Sequence, residues 1–440
     1  MSLPAAARAM LSHPWDDSRV NAQNNPADVE LEITNVAHGG VFVSRLDGRV
    51  VFVADAIPGE RVRARITESS KKSFWRAETV EVLDASPHRQ AHVWASAAID
   101  VTPSERAGGA EFGHIELSHQ RELKRQVLAD SLQRFAGVES DVQVEAVPGD
   151  DERDGLAWRT RVSLHVDADG NVGPYAARSH RVIRVGDLPL ATDEVASAAP
   201  LDQQFRGAES VDIIAPSSTQ SARIVVREPV KKGVSPANRR EQTIIERVGD
   251  RDFFLDEGGF WQVHRSAAEL LTGLVQSTID EALFDPRAAN LDLYGGVGLL
   301  AAAVGDKFGS TTRITSVESS ARATDHAAEN LSDWVGAQSI TARVDAYLRG
   351  LVAQSSAAER TRLAAGTVVL DPPRSGAGKE VVASLAELRP AQLVYVACDP
   401  VALARDIGLF AAEGYELKAL RAFDLFPHTH HLESIALLTR

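Results

Sequence analysis

A single cysteine, Cys398, in 440 residues excludes an intramolecular disulfide and any cysteine-ligated zinc or iron–sulfur site. Long apolar runs are missing too: nothing approaches the ~20 residues of a membrane span, and no basic start followed by an apolar core marks a signal peptide. The expected location is the cytoplasm. Positive charge is in deficit, with 47 Lys and Arg against 61 Asp and Glu and a net charge of −14. That excludes a wholly basic nucleic-acid binder and leaves only local patches for any polyanion. No internal repeat and no substantial low-complexity tract is present. What remains is a 44% hydrophobic chain, enough for a large core and, by length, about three domains.

The lone cysteine sits in Leu393-Val394-Tyr395-Val396-Ala397-Cys398-Asp399-Pro400. The apolar run has strand character, Asp399 suits a helix N-cap and Pro400 the first helical position. Cys398 thus stands at a strand-to-helix turn, where unpaired N–H groups favour thiolate and make a nucleophile. The plainer reading is a small buried hydrophobe.

In chain order, residues 1–26 show no period and read as a disordered leader. From 27 to 86, short alternating runs at 29–33, 40–45, 49–54, 60–66 and 77–83 predict a small antiparallel β-barrel. Within it Arg61, Arg63, Arg65, Lys71, Lys72 and Arg76 face only Glu68, a local +5 around Phe74 and Trp75. Cations for phosphates and rings for bases are what a single-stranded nucleic-acid surface needs; a charged edge guarding a strand is the alternative. Residues 87–255 read as a central mixed α/β domain with an amphipathic helix over 119–135, strands at 159–166, 182–185 and 223–226, and turns at Asp169-Gly170 and Lys232-Gly233. From 256 to 440, buried strands at 290–294, 313–317, 339–344, 367–370, 392–396 and 433–438 alternate with helices at 266–279, 299–308, 320–331 and 401–411. This pattern predicts an α/β doubly wound, mainly parallel Rossmann-like sheet, which binds ligands at the carboxyl ends of its strands.

Three motifs fall there. Asp292-Leu293-Tyr294-Gly295-Gly296-Val297-Gly298 is strand, glycine turn and helix start, with Glu318 ending the next strand and placed to accept from ribose hydroxyls. The layout serves a dinucleotide or S-adenosylmethionine. Asp371-Pro372-Pro373-Arg374-Ser375-Gly376 stiffens a loop that presents Asp371 and Arg374, an arrangement a dehydrogenase does not need. Pro427-His428-Thr429-His430-His431-Leu432-Glu433 carries three histidines before an acid. No thiolates and no evident carboxylate set accompany them, so no metal is expected, and Glu433 is the candidate general base.

Together these three motifs, in order and spacing, resemble the RNA uridine carbon-5 methyltransferases, and the barrel looks like the TRAM domain that precedes the catalytic part in many members. The resemblance covers nearly all the chain after residue 27. It implies S-adenosylmethionine as cofactor, Cys398 as nucleophile, Glu433 as base and Asp371 as a contact to the uracil edge. Tyr294, Gly295, Gly296, Gly298, Glu318 and Asp345 would line the donor site, and Gln262, within Gly259-Phe260-Trp261-Gln262-Val263, would touch base or donor. Arg374, Arg61, Arg63, Arg65, Lys71 and Lys72 are the candidate RNA contacts. Relatives often carry asparagine where Asp399 and His264 stand. Many also bind an iron–sulfur cluster through cysteines that include a Cys-Gly-Gly-Cys step; here Ala107-Gly108-Gly109-Ala110 occupies it, so no cluster is expected.

The chemistry independently asks for this set. Carbon 5 of uracil is a weak nucleophile until a thiolate adds at carbon 6, and a base must then remove the carbon-5 proton. A stacked base must also be turned out into the pocket. The expected activity is therefore methylation of a uridine in tRNA or 23S rRNA by a monomer with no obligate protein partner. The alternatives are an RNA-binding protein with an inactive domain, a nicotinamide oxidoreductase, or a small-molecule methyltransferase.

Overall fold

The structure, a computed structural model, describes residues 28–219, 221–229 and 241–440. The leader expected over 1–26 and the turn at Lys232-Gly233 lie outside the described residues.

The N-terminal strands β1 (Val29–Glu32), β2 (Asn35–Ala37), β3 (Val41–Leu46), β4 (Arg49–Ala54), β5 (Arg61–Glu68) and β6 (Phe74–Asp84) form one curled sheet in the order β1-β5-β6-β4-β3-β2. Alternation sets its inner face: Val62, Ala64 and Ile66 of β5 point into the core while Arg61, Arg63 and Arg65 point out. The one pairing that is not antiparallel joins β4 to β6. The three-residue β2 is too short to leave a sequence period.

Residues 87–255 feed three different sheets. Helix α1 (Leu117–Ala136) is followed by β7 (Val144–Ala146), β8 (Arg161–Val166), β9 (Val172–Gly173), α2 (Asp193–Ala198), β10 (Ser210–Ile214), β11 (Arg223–Arg227), β12 (Thr243–Val248) and β13 (Arg251–Asp256). Strands β8 to β11 make a four-stranded antiparallel sheet, and β12 and β13 make a hairpin. The strand expected at 182–185 is absent: only Val182 bridges, to Tyr175. Val185 goes instead into an apolar cluster with Leu188, Leu190 and Trp158, so burial wins over pairing there. Strand β7 joins the C-terminal sheet, parallel to its edge.

The remainder is α3 (Ala267–Thr278), β14 (Asn290–Leu293), α4 (Leu299–Phe308), β15 (Ile314–Glu318), α5 (Ala321–Asn330), β16 (Ala337–Thr341), α6 (Val344–Gln354), α7 (Ala357–Ala364), β17 (Thr367–Leu370), α8 (Gly378–Leu388), β18 (Gln392–Ala397), α9 (Pro400–Ala412), β19 (Glu416–Asp424) and β20 (Glu433–Thr439). The eight-stranded sheet runs β16-β15-β14-β17-β18-β20-β19-β7. The first five are parallel, and β20 enters antiparallel between β18 and β19. Both faces are covered, as fully apolar strands require. Val394 and Val396 of β18 pack into one core layer, Leu393 and Tyr395 into the other. The strand expected at 339–344 ends at Thr341, and Val344 opens α6 instead.

Helix α1 ties the parts together. Leu123 packs with the barrel core, Leu128 and Leu132 with the sheet and α9. The crossing is close because α9 offers Gly408, where a Cβ would fall 2.3 Å from the Phe135 carbonyl oxygen. Lys124 of α1 forms a buried ion pair with Asp424 of β19 and donates to the Phe426 carbonyl at 3.1 Å.

Candidate active site

Sheet register brings the three motifs to one edge. Strands β17 and β18 are parallel neighbours, so Asp371 and Cys398 leave the sheet at the same end. Strand β20 runs the other way beside β18, with Ser434 opposite Ala397, so its first residue, Glu433, arrives at that end too. The Asp371 to Gly376 loop is held from below by Asp406 of α9. Its Oδ2 accepts from the Ala377 N–H at 2.7 Å, the Gly378 N–H at 3.2 Å and the Tyr395 hydroxyl at 2.8 Å. Arg405 adds a bond to the Ser375 carbonyl at 2.6 Å.

Cys398 is partly exposed directly before α9. The helix end does not activate it as its position suggested. The Oδ1 of Asp399 accepts from the N–H groups of Val401 at 3.0 Å and Ala402 at 2.8 Å, so the donors that would steady a thiolate are taken. Burial, then Glu433 and Asp371, push the thiol up to about 12, against a smaller lowering by Arg374. Glu433 is itself buried and held well above the usual carboxylate range by burial and by Asp371. Burial and the neighbouring Asp292 lift Asp371 to about 7. In this state the pocket is short of positive charge.

The glycine turn lies one strand away, after β14. Tyr294, Gly296 and Gly298 all have positive φ, at 64°, 53° and 92°. A Cβ on Gly295 would fall 2.0 Å from Ser316 Oγ and 2.5 Å from Asp292 Oδ2, so only glycine fits there. Glu318 accepts from the Gly296 N–H at 3.3 Å and the Ser320 N–H at 2.7 Å, which fixes its carboxylate beside the turn. Asp345 sits in the first turn of α6, paired with Arg343 and Arg349 at 3.0 Å each, and close enough to Tyr294 to act on its hydroxyl.

With this geometry in view, the comparisons are decisive. Residues 281–440 match the tRNA (Uracil-5-)-methyltransferase family and residues 27–78 the TRAM domain. The chain is 38% identical to an RNA methyltransferase of Streptomyces avermitilis, over 93% of this chain and 98% of that one. It is 26% identical to the 23S rRNA (uracil(1939)-C(5))-methyltransferase of Dichelobacter nodosus, over 93% and 98%. The fold is similar to that of the Pyrococcus abyssi tRNA (uracil-54, C5)-methyltransferase in complex with S-adenosyl-L-homocysteine, at 19% identity and a TM-score of 0.65, covering 93% of this chain and all of that one. The chain belongs to the RNA uracil-C5 methyltransferases. It is an S-adenosylmethionine-dependent enzyme with an N-terminal TRAM domain.

The residues present fit this methyl donor. The turn at Gly295 is a cradle that a side chain would fill, and Glu318 and Asp345 are acceptors suited to hydroxyls beside it; burial lifts both Asp292 and Asp371 to about 7, so the neutral and charged forms of each are close in free energy. Burial comes first in the shift at Asp292, opposed by a 3.0 Å bond from Ser316. Gln262 is half-buried beside Trp261, and its amide has no hydrogen-bond partner among the described residues. The Ala107-Gly108-Gly109-Ala110 step is held by packing: both alanines are buried near Trp94 and Trp158, and the Gly108 N–H donates to the Tyr175 carbonyl at 2.9 Å.

Other candidate residues meet partners that the sequence does not show. The barrel arginines do not form a free cationic face, because the strands paired on either side of β5 bring acids beside them. Arg61 pairs with Asp84 at 2.8 Å and Glu30 at 3.1 Å, Arg63 with Glu81, and Arg65 with Asp28 at 3.0 Å. Lys71 lies 3.6 Å from Glu68, whereas Lys72 is exposed with no partner among the described residues. The histidines before Glu433 diverge: His428 is buried against Gln120, His430 faces Glu111 at 3.4 Å, and His431 accepts from Arg374 at 3.2 Å. No metal-holding cluster occurs among the described residues. His264 bonds the Asp150 carboxylate at 3.0 Å and accepts from the Ser266 N–H at 3.1 Å.

Two residues at this edge escaped the sequence reading. Arg159 stacks over Trp158 at 4.7 Å and lies within the field of Arg374 and Glu111; only its place after a buried tryptophan could have drawn attention. His38, from the β2–β3 loop, bonds Asp399 Oδ2 at 2.8 Å, and nothing in the sequence links positions so far apart.

Proposed function

We propose that this enzyme methylates carbon 5 of a uridine in tRNA or 23S rRNA through a covalent bond between Cys398 and the uracil ring. The observation that carries the reading is the convergence of Cys398, Asp371 and Glu433 on one sheet edge beside the glycine turn. Gly295, Gly296, Gly298, Tyr294, Glu318 and Asp345 would hold S-adenosylmethionine, which would supply a methyl group to carbon 5 from its sulfonium and leave as the neutral thioether S-adenosylhomocysteine. Cys398, partly exposed, gives its proton to water and Sγ adds to carbon 6, and the electron pair displaced from the double bond makes carbon 5 nucleophilic. Asp371 faces the uracil edge, and Gln262 is a further contact to base or donor. Arg374 and Arg159 bring positive charge to the oxygen on which the enolate develops. After transfer, Glu433 takes the proton from carbon 5, the double bond re-forms, and the thiolate is expelled. A carboxylate held well above its usual range is a stronger base than a solvated one.

The target uridine is turned out of its stack, and the TRAM domain over 27–86 grips flanking RNA, with the 87–255 segment reading its surroundings and 256–440 doing the chemistry. The enzyme acts as a monomer in the cytoplasm, where such RNA is made. The test is incubation with RNA carrying 5-fluorouridine plus S-adenosylmethionine. Fluorine does not leave as a proton does, so wild type should form a stable adduct and Cys398→Ala none; sequencing the trapped RNA names the site. No adduct with RNA from any source, despite measured donor binding, overturns the proposal.

A further inference from the structure

The β2–β3 loop of the TRAM domain reaches the catalytic edge at two points. Its Gly40, with φ at +72°, sits where a Cβ would fall 3.1 Å from the His430 ring, which packs the loop against the strand-leading segment that ends in Glu433. Its His38 bonds Asp399 Oδ2 at 2.8 Å, with His38 about half exposed and Asp399 largely covered. Asp399 directly follows the nucleophile. Its Oδ1 is committed to the first N–H groups of α9, so Oδ2 is the oxygen whose charge remains to be met. The side chain's charge acts on Cys398 in the same sense as Glu433 and Asp371, against Arg374 alone. The loop's other ionisable neighbours are Lys124 of α1 and His430, which line the small cavity beneath it.

We propose that His38, carried by the TRAM domain, is a positioning residue for the methyl transfer: its ring N–H holds the Asp399 carboxylate and offsets the charge this group presses on Cys398. The catalytic edge is then completed by the domain that grips RNA, and any shift of the barrel away from α9 unmasks the Asp399 carboxylate beside Sγ. A thiol already opposed by two carboxylates becomes less acidic still. The inference rests on Cys398 being the nucleophile, but its test does not require methyl transfer.

Because Cys398 is the only cysteine, alkylation of the full-length protein by iodoacetamide reads that thiol alone. At about pH 8, far below the thiol's own pKa, the rate follows the thiolate fraction. His38→Ala should slow alkylation about three- to tenfold, the effect of leaving Asp399 Oδ2 without its side-chain donor in a half-buried cleft. Asp399→Asn should speed it, since asparagine caps a helix equally well without charge. In the Asp399→Asn background, His38→Ala should change the rate less than about twofold, because no charge is left to offset. His38→Lys, which puts an ammonium donor beside the same carboxylate, should keep alkylation at least as fast as wild type. An equal loss in both backgrounds would mean that His38 merely packs the loop and overturns the inference, as would no loss in the Asp399 background. Absence of the 5-fluorouridine adduct in wild type would refute the covalent reading while leaving these rates to decide the role of His38.

Discussion

Replacing Asp371 by asparagine should make Cys398 more reactive and, on the proposed mechanism, remove methyl transfer. Burial, then Glu433 and Asp371, push the Cys398 thiol up to about 12, so at pH 8 about one thiol in ten thousand is ionised. Asp371, lifted to about 7 by burial and Asp292, is mostly ionised at that pH and opposes the thiolate. In a half-buried cleft one neighbouring carboxylate is worth about 1.4 kcal/mol, a factor of about ten. About a tenth of wild-type Asp371 is still protonated at pH 8, so Asp371→Asn should speed alkylation of Cys398 about fivefold there. The sign reverses nothing at lower pH but removes the difference. At about pH 6 the wild-type Asp371 is mainly protonated, and the advantage should shrink to less than about twofold. Methyl transfer should fall by at least about a hundredfold at both pH values, since in the proposed mechanism the carboxylate faces the uracil edge and an amide does not replace it there. The assay is the alkylation rate by mass spectrometry across this pH range, beside a methyl-transfer assay with labelled donor. Equal or slower alkylation at pH 8, or an advantage undiminished at pH 6, would refute the electrostatic account of this pocket.

Glu433→Gln should leave addition and methyl transfer possible but block proton removal, so a denaturant-stable protein–RNA adduct should accumulate with ordinary uridine; gel shift after denaturation checks it. Gly295→Ala places a methyl group 2.0 Å from Ser316 Oγ and should weaken S-adenosylhomocysteine binding by at least about tenfold by calorimetry. Lys124→Ala strands the buried Asp424 carboxylate and should cost about 3–5 kcal/mol in urea unfolding. Replacing both partners with Met and Leu should recover most of that loss.

Much of the catalytic fold was legible locally. Apolar runs such as 367–370 and 392–396 are strands buried on both faces, and such strands need no partner information to be recognised. The strand at 416–424 was not legible, because Glu416, Lys418 and Arg421 stand on an edge where alternate residues meet water. The helix over 119–135 was legible by its period. That its own face divides between the barrel core and the sheet core was not, since period says which residues are buried and not against what.

The motifs around Cys398, Asp371, Glu433 and Gly295 specify residue types at strand ends, and sequence alone placed all four at the carboxyl-end edge of one sheet or on the strand that returns to it. Tertiary structure decided their electrical state. Asp399 next to Cys398 reads as a helix cap that exposes a positive end; folded, it consumes that end, and burial beside Glu433 and Asp371 holds the thiol protonated. Arg61, Arg63 and Arg65 read as an unopposed basic stripe; folded, strand pairing sets Asp84, Glu81 and Asp28 against them. Charge acts through space with the distance and dielectric that packing creates, and neither quantity is written along the chain.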